Sequence, residues 1–270
     1  MILKIKRLTT QIFSTLLANL GNIGIKTGFC YPFFYCHACP AAIAGCPLGT
    51  IERGVYRGNF RWRLILYPLM IIGFIGIIYG RAVCGWMCPI GLLQRATGGV
   101  ARKLRHQYAF IKKIGQHKIE KHLRYTKYLL LTGLVVGTTA ILGFMFTDIC
   151  PIGFLTGSVP ILILSPGKFT ENIFFYPAMI ISILFIILIL TVERGWCRYL
   201  CPVGAMLAPF NRISVFHIFV DKSRCIGCQR CSDVCPMGID VPNMERDPEC
   251  ILCGKCIEAC PYNVIEFKRN

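Results

Sequence analysis

Three stretches of the chain run almost free of polar side chains: Leu64–Gly80, Tyr128–Phe146 and Ile173–Val192. Each approaches the roughly 20 apolar residues that a helix needs to cross a bilayer. The pattern therefore predicts three transmembrane helices. A fourth stretch, Leu8–Gly28, is broken by Gln11, Asn19, Asn22 and Lys26. It is expected to span as well, because without it an internal repeat loses its symmetry.

That repeat aligns without a gap. Arg81-Ala-Val-Cys84-Gly-Trp-Met-Cys88-Pro89-Ile-Gly91 matches Arg194-Gly-Trp-Cys197-Arg-Tyr-Leu-Cys201-Pro202-Val-Gly204. Each copy follows an apolar stretch. Ahead of those stretches stand Cys46-Pro47-Leu48-Gly49 and Cys150-Pro151-Ile152-Gly153. Each half then reads as helix, Cys-Pro loop, helix, Cys-x3-Cys-Pro loop. Two parallel two-helix repeats imply a pseudo-twofold axis along the membrane normal. Such an axis would bring Cys84 and Cys88 to face Cys197 and Cys201 at the inner surface, and Cys36, Cys39 and Cys46 to face Cys150 at the outer one. Four thiolates in each place are a candidate metal or cluster site. Packing of small apolar cysteines, and thiol–disulfide exchange, are the alternatives.

The composition changes the picture in two ways. Hydrophobic residues make up 54% of the chain, too many for an ordinary soluble domain. The net charge is +17, but Arg95, Arg102, Lys103, Arg105, Lys112, Lys113, Lys118, Lys121, Arg124 and Lys127 crowd one connection, whereas Lys168 stands alone in the next. Such asymmetry marks a cytoplasmic loop rather than a nucleic-acid surface. It predicts a multi-pass protein of the cytoplasmic (inner) membrane with both termini in the cytoplasm, Cys30–Ile51 and Asp148–Asn172 outside, and no nucleic-acid partner. Arg53, Arg57, Arg61 and Arg63 run against that orientation. The basic loop would meet anionic headgroups.

The chemistry is concentrated near the C-terminus. Cys225-x2-Cys228-x2-Cys231-x3-Cys235-Pro236 is followed by Cys250-x2-Cys253-x2-Cys256-x3-Cys260-Pro261. Doubled, this is the spacing of two-cluster bacterial ferredoxins, in which the fourth cysteine of each run ligates the other cluster. Cys225, Cys228, Cys231 and Cys260 are expected to hold one [4Fe–4S] cluster; Cys250, Cys253, Cys256 and Cys235 the other. Paired four-cysteine zinc sites are the alternative. The tail Val264–Phe267 is expected to pair as a strand with Phe219–Asp221. Residues 1–213 would form the four-helix membrane domain and 214–270 the small α+β ferredoxin domain.

Several classes are excluded. His37, His106, His117, His122 and His217 all lie outside the apolar stretches, against a bis-histidine haem in the bundle. His37 sits within Cys36-His-Ala-Cys39, more in keeping with a solvated loop residue than with a ligand. No phosphate-binding or dinucleotide fingerprint occurs. Trp62, Trp86 and Trp196 fall at the ends of apolar stretches, where interfacial anchoring accounts for them.

Cys36-His-Ala-Cys39-Pro40, Cys46-Pro-Leu-Gly49, the two Cys-x3-Cys-Pro loops and the two ferredoxin runs together resemble the membrane iron–sulfur proteins of the NapH type. They also resemble the cluster-binding regions of the NosR and CcoG families. The resemblance implies a four-helix membrane component of a quinol dehydrogenase, an electron-transfer subunit with the quinone pool and ferredoxin-like or reductase subunits as partners. The flavin-binding domain of NosR-like proteins and the C-terminal extension of CcoG-like proteins have no counterpart here. The expected function is electron passage between a quinone pool or cytoplasmic donor and a partner redox enzyme. An iron–sulfur assembly or redox-sensing accessory role is the alternative.

Overall fold

A computed structural model describes residues 2–18, 30–34, 45–107, 118–164 and 173–269. Helix α1 (Ile2–Ala18) is amphipathic in an inverted sense. Its polar Arg7, Gln11 and Ser14 are buried, while Leu8, Ile12, Phe13, Leu16 and Leu17 face outward. Two of these find partners across the interface: Arg7 bonds to the Cys253 carbonyl, and Gln11 Nε2 donates to the Gly85 carbonyl at 3.0 Å.

Helix α2 (Pro47–Val55) starts after an extended Cys46, with proline pre-set for the first turn. Helix α3 (Trp62–Tyr79) is apolar after Arg63 in its first turn and ends at Gly80, whose φ of 55° stops it. Short α4 (Ala82–Trp86) and longer α5 (Pro89–Gln107) follow, with a break at Met87–Cys88 between them. After α6 (Lys118–Leu123), α7 (Thr126–Ile141) carries a central section, Leu130–Gly137, wound with the wider i→i+5 bonds of a π-helix. Helix α8 (residues 151–164) again begins with Cys-Pro, and α9 (Phe175–Thr191) is apolar on every side. A π turn, Trp196–Leu200, leads to α10 (Pro202–Leu207).

The C-terminal part is small. Strands β1 (Phe216–Val220) and β2 (Ile265–Arg269) pair antiparallel with Phe216 opposite Arg269 and Val220 opposite Ile265. Between them lie α11 (Arg230–Asp233) and α12 (Lys255–Ala259), which pack together. The C-terminal strand pairing expected from the sequence is therefore present, and it runs on to Phe216 and Arg269. One continuous core joins this unit to the helices: Leu48, Val83, Ile152 and Leu207 belong to it together with Met237, Ile251 and Ile265.

The expectation of four transmembrane helices is overturned. Among the described residues only Trp62–Tyr79 is long and apolar enough to cross a membrane. The second apolar stretch stops at Ile141, since Gly143 turns left-handed (φ 69°) and Phe146–Ile149 becomes a 3-10 turn. The buried Glu52 carboxylate holds that turn, accepting from Phe146 N at 2.8 Å and Thr147 Oγ1 at 2.6 Å. The third ends at Thr191, where Val192 is extended. Of the fourth, Leu8–Gly28, only the part up to Ala18 lies within the described residues, and its inner face is polar. Hydropathy counted apolar residues; turn-forming positions decide where the helices end.

Candidate iron–sulfur site

The two ferredoxin runs fold alike. Left-handed backbone occurs at Gly227 and Gln229 in the first and at the matching Leu252 and Gly254 in the second. After each closing Cys-Pro it recurs, at Gly238 and at Asn263. Such alternation curls a loop so that successive N–H groups face inward, an arrangement suited to anionic thiolate clusters. Glycine stands at one of the two strained positions in each loop, where a side chain is least tolerated.

The curled loops enclose two cavities. Cys225, Cys228, Cys231 and Cys260 line one. Cys235, Cys250, Cys253 and Cys256 line the other. Both walls are otherwise apolar, including Ile226, Val264 and Ile265 in the first and Met237, Ile239 and Ile251 in the second. Among the described residues no three His, Cys, Asp or Glu side chains converge as a single ion would require. Four sulfurs around a space, rather than around a point, suit a cubane better than zinc. Cys228 is exposed in the first cavity, whereas Cys253 and Cys256 are buried in the second.

The Cys-x3-Cys-Pro loops come together between α3, α5, α9 and α10. Cys84, Cys88, Cys197 and Cys201 are all buried. The two copies exchange arginines: Arg81 Nη2 donates to the Cys197 carbonyl at 3.3 Å, and Arg194 Nη1 to the Cys84 carbonyl at 3.0 Å. Gly91 and Gly204, also repeat equivalents, make room for these guanidinium groups. Sulfur acceptors are served as well. Gly204 N donates to Cys201 Sγ at 3.4 Å, and Gln94 Nε2 to Cys197 Sγ at 3.1 Å. Burial pushes the Cys84, Cys88 and Cys201 thiols up, and the neighbouring sulfurs add to it. As free thiols they would hold their protons and exchange slowly. Every described cysteine is free of disulfides.

A buried polar network fastens this quartet to the second ferredoxin loop. Arg81 Nη1 donates to Glu249 Oε2 at 2.9 Å and to the Pro248 carbonyl at 3.0 Å. Lys127, fully buried, also pairs with Glu249. Asn211 Oδ1 accepts from Arg81 N at 2.7 Å, while its Nδ2 reaches the Cys250 carbonyl at 2.6 Å. Trp86 Nε1 donates to the Leu252 carbonyl at 2.9 Å. Gly85 lies so close to Ile251 that an added Cβ would fall 2.3 Å from its carbonyl oxygen. In the sequence Arg81 and Arg194 stand in the repeat without a role, and Lys127 counts only as one of the basic loop residues. Asn211, Gln94 and Glu249 stand out by nothing more than the carboxylate lying directly before a cluster cysteine.

Of the outer quartet, Cys46 and Cys150 are buried and each stands just ahead of a helix that begins with proline. Glu52 ties their two segments together. Cys36, Cys39 and His37 lie outside the described residues. Of the tryptophans, Trp196 is buried and stacks on Phe34 (6.1 Å) and edge-on to Phe185 (5.2 Å). It is a core residue, not an interfacial anchor.

The chain matches the 4Fe-4S dicluster domain family over residues 217–261. It matches the 4Fe-4S binding domain family twice, over residues 61–106 and 174–220. Each of the latter matches encloses one Cys-x3-Cys-Pro loop. An uncharacterised protein of Methanocaldococcus jannaschii is 32% identical over 73% of this chain and 74% of its own length. The ferredoxin-type protein NapH of Escherichia coli is 26% identical, over 70% of this chain and 59% of that protein. The methylamine utilization ferredoxin-type protein MauN of Methylobacillus flagellatus is 27% identical, over 62% and 52%. The chain thus spans between half and three-fifths of the length of NapH and MauN. No solved structure matches it.

Proposed function

The chain belongs to the NapH-type iron–sulfur electron-transfer proteins and carries [4Fe–4S] clusters, and from this premise we propose that it conducts electrons at a membrane, between a quinone pool or cytoplasmic donor and a partner redox enzyme. Cubane clusters supply one-electron chemistry when bound. In this reading residues 214–270 are the ferredoxin unit, 1–213 the helical part. Cys225, Cys228, Cys231 and Cys260 hold one cluster, and Cys235, Cys250, Cys253 and Cys256 the other. Cys84, Cys88, Cys197 and Cys201 form a third centre. Cys46 and Cys150, with Cys36 and Cys39, are the fourth candidate.

One observation carries this proposal: the backbone of the second ferredoxin loop rests directly on the loop bearing Cys84, through Gly85 and Ile251. The cavity lined by Cys253 therefore neighbours the buried quartet. The cavity with exposed Cys228 lies toward solvent, where a soluble partner could reach it. Arg81, Arg194 and the N–H groups aimed at sulfur keep the buried quartet in an electropositive setting that favours anionic centres.

Membrane association has its own support. Of the Trp62–Tyr79 window only 17% is buried, the reverse of a soluble core helix. Phe74 (69% exposed), Leu184 (58%) and Ile141 (82%) are among many large apolar side chains facing outward. An apolar surface of that size needs lipid or a partner.

Iron and acid-labile sulfide per chain, in protein purified without oxygen, test the reading. About eight irons would restrict clusters to the ferredoxin unit and sink the third centre; about twelve would establish it, and about sixteen would fill the fourth. Iron-free, zinc-loaded protein would overturn the proposal entirely.

A further inference from the structure

Most hydrogen-bond donors around the buried quartet come in pairs across the repeat. Gly91 N serves Cys88 as Gly204 N serves Cys201, and Arg194 and Arg81 serve the Cys84 and Cys197 carbonyls. Gln94 breaks the pairing. It is the sixth residue of α5, and the sixth residue of α10, its equivalent in the repeat, is Leu207. Both side chains are fully buried. Gln94 Nε2 donates to Cys197 Sγ at 3.1 Å, a bond that leucine cannot make.

We infer that Gln94 sets the reduction potential of the centre held by Cys84, Cys88, Cys197 and Cys201, by donating to a sulfur that grows more negative when the centre is reduced. The inference rests on the third centre of the electron-transfer reading and names the residue that tunes it.

The donor set suits such a centre. N–H groups of Gln94, Gly91 and Gly204 each meet a sulfur, and the Arg81 side chain meets Cys84. A neutral thiol is a weak acceptor. A thiolate on iron carries charge, and charge strengthens each of these bonds. The glutamine itself points the same way. Its Oε1 is buried without a hydrogen-bond partner, a cost that an apolar side chain avoids at Leu207. Turning the amide over would set that oxygen against the sulfur. The side chain therefore leaves its carbonyl unserved and keeps its N–H on Cys197.

Reduction adds one electron to the centre, and the amide keeps its proton throughout. The added negative charge is shared by the iron-bound sulfurs, so the bond from Nε2 tightens and the potential rises. Arg81 acts in the same direction, but it also holds Glu249 and the Pro248 carbonyl. Gln94 makes one further bond, at 3.4 Å to the Ile90 carbonyl of its own helix. It can be changed with little else disturbed.

Full-length holoprotein, purified without oxygen, is titrated with dithionite as electron donor and ferricyanide as acceptor, followed by electron paramagnetic resonance. Iron is counted in every sample. The signal missing from Cys88→Ser belongs to the quartet. Gln94→Met keeps the size of the side chain and removes the donor. The quartet's midpoint is expected to fall by at least about 59 mV, a tenfold shift in a one-electron equilibrium. The midpoints of the two ferredoxin clusters should move by less than half as much. The same variant is expected to melt at or above the wild-type temperature, because its unserved carbonyl is gone. A glutamine with a structural role alone would lower the melting temperature and leave the midpoint in place. Gln107→Met, at the exposed far end of α5, should change neither.

An unmoved midpoint in iron-replete Gln94→Met overturns the inference, as does an equal fall at all three centres. If Gln94→Met loses about four irons, Gln94→Leu repeats the measurement with the residue that stands at 207. The same loss from both variants makes Gln94 a support for the centre and overturns the tuning role. Wild-type protein with about eight irons has no centre at the quartet, which defeats the third centre and this inference together. About twelve irons with an unmoved midpoint defeats the tuning and leaves the third centre standing.

Discussion

Gly85→Ala tests the junction on which the functional reading depends. The new Cβ would lie 2.3 Å from the Ile251 carbonyl oxygen and 3.6 Å from Cys253 Cα. Both are backbone atoms, so no flexible side chain can swing away. Comfortable contact begins near 3.4 Å, so the two loops must part by about 1.1 Å (3.4 − 2.3). Gly85 does not have a positive φ, so the cost is one of crowding alone. Overpacking of this kind typically costs about 1–3 kcal/mol. Taking roughly 2 kcal/mol, a chain of this size should melt about 4–8 °C lower. The same movement strains two neighbouring bonds, Trp86 to Leu252 and Gln11 to Gly85. Anaerobic melting followed by cluster absorbance gives the first readout; spin–spin broadening between reduced centres in electron paramagnetic resonance gives the second. Gly99→Ala is the control, with open space at its Cβ in α5 and an expected gain of up to about 1 kcal/mol from helix propensity. A Gly85→Ala protein that melts with the wild type and shows the same broadening would refute the claimed contact.

Arg81→Gln leaves Glu249 paired with Lys127 alone and takes the guanidinium donors from Glu249 and from the buried Pro248 and Cys197 carbonyls; each buried acceptor left without its partner costs about 1–3 kcal/mol, so the variant should melt below wild type and lose iron on gel filtration. Cys228→Ser should remove about four irons per chain while the other ferredoxin cluster survives, which iron analysis checks; loss of every cluster would show the two loops to be interdependent. Burial lifts the Glu52 carboxyl from 4.5 to about 7. The folded state then holds a proton that the unfolded chain has released, so stability should fall as pH rises from about 4.5 to about 7; chemical denaturation across that window should show the slope in wild type and a flatter line in Glu52→Gln.

Local features were readable in the chain and distant ones were not. The ferredoxin runs carry spacing, proline and glycine within a dozen residues, and the curled loops follow from those letters. The Arg81/Arg194 correspondence was also visible, since both begin aligned segments. What they bond to was not. Arg81 reaches Glu249 across 168 positions and Arg194 reaches Cys84 across 110, separations at which no periodic pattern reports. Lys127 gave the most misleading signal. Counted among ten basic residues of a loop expected to lie at the headgroups, it is wholly buried and paired. A positive charge is informative about membranes only while solvent can reach it.

The same distinction explains the helices. Hydropathy measures what a segment would gain by leaving water, and it does not measure where the backbone can continue. Tyr128–Phe146 is apolar enough, yet Gly143 and the carboxylate of Glu52, far away in sequence, end the helix at Ile141. Cys46 and Cys150 open the two segments that Glu52 ties together, so the polar contact that breaks the helix also fixes this cysteine pair. The helix ends the composition missed are therefore where the cysteines sit. A chain selected for uninterrupted spans would have no turns on which to mount them. Cys88, Cys197 and Cys201 obey the same rule, each on a break or wide turn between helical segments, with Cys84 on the short α4 just before the break, and the irregular backbone that defeats a span count is what lets two distant repeats offer four sulfurs to one space.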